Sequence, residues 1–146
     1  MRILRIVILV LLGVFIGIQM IRPERLSVAG DPLARFDRST PAARTALAAI
    51  ERSCLDCHSD TTDWPWYSNV APVSWWVVDH VRHAHGHLNF STWESYDAKK
   101  RHDLLEEICE ETSENAMPLP SYTWIHRDAV LTSDEIKAIC TWTRSM

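Results

Sequence analysis

Cys54, Cys57 and His58 stand at positions i, i+3 and i+4 in the run Cys54-Leu55-Asp56-Cys57-His58. On a helical turn these positions share one face, so two thiols and an imidazole are presented together. That arrangement suits covalent attachment of one haem, the thiols adding to its vinyl groups while the imidazole meets the iron. Two other chemistries use the same residue types. A redox dithiol needs its Cys-x-x-Cys after a strand in a βαβ setting, and no strand-like segment precedes Cys54. A structural zinc site could combine Cys54 and Cys57 with His83 and His87, whose spacing permits a closed tetrahedral site, but it leaves His58 without a role.

An iron held by His58 takes a further axial ligand, in small electron carriers often a methionine thioether delivered by a loop. Met117 precedes Pro118, and proline restricts the residue before it to extended backbone, so Met117 is expected on a stiffened loop between helices. The competing readings are a methionine filling a core gap, or a histidine ligand from the cluster below. His80, His83, His85 and His87 crowd one segment and His126 lies near Met117. Each of the four clustered histidines reads first as a solvated or hydrogen-bonded group, while His126 is a further candidate for the iron, ranked below Met117. The remaining cysteines, Cys109 and Cys140, sit beside isoleucines on expected inner helix faces. In an oxidising compartment they are expected to form a disulfide; otherwise they are buried thiols behaving as small hydrophobes.

The elements that must position these groups read as helices. Thr40 can cap a helix with Pro41 in its first position, and Ala43, Leu47, Ile50 and Cys54 then recur at helical spacing straight into the cysteine motif. A loop from Trp64 to Pro72 follows. Val77, Val81, Ala84 and Leu88 mark a second helix that closes near Gly86. Ser91-Thr92-Trp93-Glu94 has capping-box form and is expected to open a third, with Leu105, Ile108 and Cys109 on its buried face. Asn115 to Tyr122, with Pro118 and Pro120, cannot continue it. Thr132-Ser133-Asp134-Glu135 repeats the capping-box pattern before Ile136, Ile139 and Cys140. No segment alternates as a strand, and no internal repeat occurs.

The formal charge is −4; setting aside Arg2, Arg5 and Arg22 leaves 12 basic against 19 acidic residues, which excludes nucleic acid as a partner. Seven tryptophans against four glycines give the chain many flat side chains that a planar cofactor would suit. Ile6 to Ile21 is a run of sixteen uncharged residues behind Arg2 and Arg5. As a helix it would span about 24 Å, bridgeable to a membrane's ~30 Å hydrocarbon layer by snorkelling arginines. The expectation is a transmembrane anchor or signal segment over 1–22, a linker over 23–39 and a haem c domain over 40–146. The membrane is then a partner, and the domain faces the periplasm or outer surface.

The segments CLDCHSDTTDWPWYSNVAPVSWWVVDHV, HLNFSTW and MPLPSYTWIHRDAVLTSDEIKAICTW resemble the small bacterial haem-binding domain family defined by Cys-x-x-Cys-His, itself similar to class I cytochromes c. The resemblance covers roughly Ser53 to Trp142. It implies one covalent haem c and, through the class I pattern, His58 and Met117 as axial ligands. The implied fold is all-α and cytochrome-c-like, its first and last helices packed together behind an N-terminal anchor, with Trp64, Trp66, Tyr67, Trp75 and Trp124 near the haem. The stretch from Trp64 to Asn115 exceeds the minimal class I core. The function expected is single-electron transfer to a redox partner protein, with no substrate chemistry. The alternatives are a haem-based sensor or minor peroxidase, and a zinc-binding structural domain.

Overall fold

Thr40 accepts a hydrogen bond from the Ala43 N–H through its hydroxyl, and Pro41 follows where its missing N–H costs nothing, so a helix starts there. The structure, a computed structural model, describes residues 1–25 and 27–146, and all regular structure among them is helical. In chain order the helices are α1 (Arg2–Ile18), α2 (Pro41–Ser53), α3 (Leu55–His58), α4 (Val73–His87), α5 (Ala98–Ser113), α6 (Pro120–Thr123) and α7 (Ser133–Thr143). Short 3₁₀ segments cover Trp66–Asn69, Phe90–Ser95, which is kinked at Thr92, and Arg127–Ala129.

The core forms where α2 meets α7, its most extensive partner, while α7 also packs on α5. Leu47, Ile50 and Ile139 are wholly buried there. Each such side chain contributes roughly 1.5–3 kcal/mol by leaving water. Ala46 and Ala49 share the buried stripe of α2, and their small size permits a close helix approach. Leu33 and Phe36, in the stretch read as a linker, belong to this core. Phe36 meets the rings of Trp93 and Trp142 edge-on at 5.5 and 5.3 Å. Aromatic pairs in this geometry add stabilisation beyond their buried area.

Three expectations are corrected. The N-terminal helix ends at Ile18 after 17 residues, and no helix among the described residues is long and apolar enough to cross a membrane. The N-terminal helix begins at Arg2 and so includes Arg2 and Arg5. The transmembrane anchor, and the outward-facing location that rested on it, therefore fall. The third helix of the sequence reading does not begin at Ser91. Asn89 caps a 3₁₀ turn instead, the chain extends at Tyr96, and Asp97 caps α5 by accepting from the Lys100 N–H at 2.7 Å. Finally, α2 does not run through the cysteine motif but stops at Ser53.

Two cross-links tie the core helices. Cys109 of α5 and Cys140 of α7 form a disulfide, their Cα atoms 4.7 Å apart. Glu135 closes a capping box with Thr132 at the start of α7 and also accepts from Arg52, near the end of α2, at 2.8 Å. The guanidinium of Arg52 is the main cause that holds the Glu135 carboxyl down at about 2.

Both links make measurable predictions. A Cys140→Ser chain loses a closed loop spanning 31 positions. It should unfold with roughly 3–4 kcal/mol less stability than the oxidised parent in denaturant titrations. Because the folded Glu135 carboxyl titrates near 2, below its usual 4.5, its contribution is complete above pH 4.5 and fades as pH falls toward 2. The stability gap between parent and Glu135→Gln should thus be about 1–2 kcal/mol at pH 7, after allowance for screening at half-exposed Arg52, and should narrow progressively below pH 4.5.

Candidate functional site

Cys54 closes α2 by donating its N–H to Ile50 at 2.9 Å, but its own φ of −122° and ψ of −35° leave the helical path. Its carbonyl then accepts from the N–H groups of Cys57 at 3.1 Å and His58 at 2.9 Å, which winds α3 as one turn. The break re-aims the turn while preserving the i, i+3, i+4 relation of the three side chains. Cys54 and Cys57 are both free thiols. Burial pushes the Cys54 thiol up to about 12 and the Cys57 thiol up to about 11. Both are therefore neutral at pH 7, unlike the depressed thiol of a redox dithiol.

Nδ1–H of His58 donates to the Leu88 carbonyl at 3.0 Å, just past the end of α4. This bond fixes the neutral tautomer and leaves Nε2 with its lone pair, as a metal-ligating imidazole requires. Burial is the main influence on this ring and lowers its proton affinity, which also favours the neutral form.

Met117 reaches the same region through the end of α5. Asn115 adopts a left-handed φ of 57°, the Ala116 N–H donates to Glu111 at 2.9 Å and the Asn115 N–H donates to Thr112 at 3.3 Å. This is the paired bonding of a Schellman cap, with asparagine in the position glycine usually takes. The Met117 N–H also donates to the Glu111 carbonyl, at 3.1 Å, so the residue is fixed directly to the helix end.

Cys54, Cys57, His58 and Met117 all border one cavity of about 350 Å³ between α3, α4, α5 and the segment 117–122. Its apolar wall comes from Ala84, Leu88, Phe90, Leu104, Ile108 and Leu119. Ser53 also borders it, and the Ser53 hydroxyl is buried with no hydrogen-bond partner among the described residues. A haem fits this setting on three counts. The volume lies in the range of cofactor pockets, the two thiols and the imidazole converge on an apolar space, and an unpaired buried hydroxyl waits on its wall.

Other candidates separate. His83 and His87 border the cavity, yet among the described residues no group of three or more His, Cys, Asp or Glu is placed to hold a metal ion. His87 instead meets Glu107 of α5 at 2.9 Å. His85 donates to the Ser59 carbonyl at 2.8 Å, and His126 Nε2 lies 2.7 Å from the Tyr67 hydroxyl. None of Trp64, Trp66, Tyr67, Trp75 and Trp124 borders the cavity, and Trp66 and Trp124 are 78% and 73% exposed. The aromatic rings that do line it are Phe90 and Tyr122, neither singled out by the sequence. No sequence signal was available for Tyr122, whose hydroxyl donates at 2.7 Å to Asp56, 66 positions earlier.

A family model described as a haem-binding domain matches residues 13–145. No curated protein and no solved structure matches the chain. The family match takes in every residue that borders the cavity and nearly all of the chain, and the chain accordingly belongs to the family of haem-binding domains, with haem as its cofactor.

Proposed function

We propose that this domain is a c-type electron carrier: Cys54 and Cys57 hold one haem through thioether bonds, and His58 and Met117 are the axial ligands of its iron. The observation that carries this reading is the meeting of these four side chains, from α3 and from the segment after α5, on a single apolar cavity. Haem held in this way supplies one-electron chemistry, the iron cycling between its ferric and ferrous states.

The chain's own groups serve that role. His58, tied to Leu88, offers one nitrogen in one orientation. The apolar walls exclude water, and Met117, anchored to Glu111, brings a soft thioether that favours the reduced metal and raises the potential. Two protein ligands leave no position for oxygen or peroxide, which separates a carrier from a sensor or peroxidase. The motif spacing supports covalent attachment, as do two unpaired thiols beside the imidazole.

Denaturation of the haem-loaded protein in acid-acetone should leave colour on the polypeptide, and a Cys57→Ala chain should lose one of two thioether links by mass. Complete extraction of the haem from the parent would refute the attachment. The oxidised protein should show the weak methionine-to-iron band toward the red end of its spectrum, lost in Met117→Ala, and the reduced parent should bind carbon monoxide poorly. Ready carbon monoxide binding by the parent at neutral pH would instead make the domain a sensor or peroxidase.

A further inference from the structure

We propose that Tyr122 is a positioning residue for the sixth ligand, its hydroxyl latching the Met117 segment to Asp56 inside the haem-attachment turn. The inference rests on the ligand assignment proposed above and adds what holds that ligand in place.

Met117 lies between two anchors. On its N-terminal side the cap at Asn115 and the bond to Glu111 fix the backbone to α5. On its C-terminal side the chain is held by α6, a single turn with no buried residue, which cannot be a rigid support by packing alone. What α6 has is Tyr122. The Tyr122 hydroxyl donates to Asp56 Oδ2 at 2.7 Å, a short bond to a carboxylate. Asp56 stands between Cys54 and Cys57, and its other oxygen accepts from the Asp63 N–H at 3.2 Å, which holds the carboxylate in orientation. The Tyr122 ring stacks on His126 with centroids 4.3 Å apart and planes 12° apart, and His126 in turn meets the Tyr67 hydroxyl. Tyr122 also borders the cavity itself.

One hydrogen bond thus joins the elements that carry the two axial ligands. Without it, the segment 117–122 keeps its tether to α5 but loses its tie to α3, so Met117 spends more time away from the iron. Losing one hydrogen bond to a charged group shifts such an equilibrium roughly tenfold.

The test uses the full chain loaded with haem, comparing parent, Tyr122→Phe, Asp56→Ala, Asp56→Asn and the double variant Asp56→Ala/Tyr122→Phe. With the parent showing the methionine-to-iron band, Tyr122→Phe and Asp56→Ala should each weaken it and raise the carbon-monoxide-accessible fraction of the reduced protein roughly tenfold. Asp56→Asn leaves the Tyr122 hydroxyl a partner whichever way the amide turns, the oxygen accepting from it or the NH2 donating to it, and should retain the band. The double variant should be no worse than either single one, the mark of a shared interaction. In the same haem-loaded chains, hydrogen exchange over residues 117–126 should quicken in Tyr122→Phe. A parent without the band or without covalent haem defeats the ligand assignment itself. A parent with the band, alongside a Tyr122→Phe variant unchanged in band, carbon monoxide binding and exchange, or additive effects in the double variant, overturns the latch alone.

Discussion

Cys54 belongs to neither of the helices it separates, and its carbonyl accepts from Cys57 and His58 together. Everything around the cavity depends on this one break. Were α2 to continue unbroken, its axis would carry the motif along the buried stripe of Leu47 and Ile50. The break lets α2 stay in the core against α7 while the motif faces another way, toward α4 and α5. The cost of leaving the helical path is limited because the N–H groups of Cys54, Cys57 and His58 are all bonded.

A cavity walled mainly by apolar groups needs rigid rims, since apolar contact is non-directional and does not by itself fix the spacing of the walls. One rim is fixed by the Leu88 carbonyl, which ends α4 and at the same time orients His58. Another is fixed by the cap at Asn115, which satisfies two carbonyls in the last turn of α5 and reverses the chain toward Met117. Both are devices of helix termination. The same groups that stop each helix also place a candidate ligand, so termination and site construction are one event in this fold.

What the sequence made legible follows this logic. Local signals worked where the deciding partner lies within a few residues: Thr40 with Pro41, Thr132 with Glu135, and the three-residue face of Cys54, Cys57 and His58. They failed where a rival of equal locality was present. Ser91 to Glu94 looks like a capping box, but Asn89 accepts from Ser91 first and the Tyr96 hydroxyl takes the Asn89 N–H, so the chain makes a 3₁₀ turn. They failed also where the partner is distant. Leu33 and Phe36 sit among charges and prolines and read as linker, yet Phe36 is enclosed by Trp93 and Trp142 from the far end of the chain. The N-terminal run misled for a third reason: its apolar length was counted to Ile21, whereas the helix itself ends at Ile18, with Gln19 turned aside to pair with the backbone of Ala71.

The electrostatics of the cavity bear on which chemistry the cysteine motif serves. A redox dithiol is built to favour thiolate, through nearby cations or a helix N-terminus. Here burial dominates and moves both thiols the other way, and for Cys54 the nearby Arg52 offsets it only in part. This sets the pair apart from a redox dithiol, while the neutral imidazole with one nitrogen tied back suits the ligand role proposed for it. A mainly apolar cavity would penalise three polar groups if each stood alone. In the attachment proposed above that penalty is removed, because one flat, largely apolar group would engage all three.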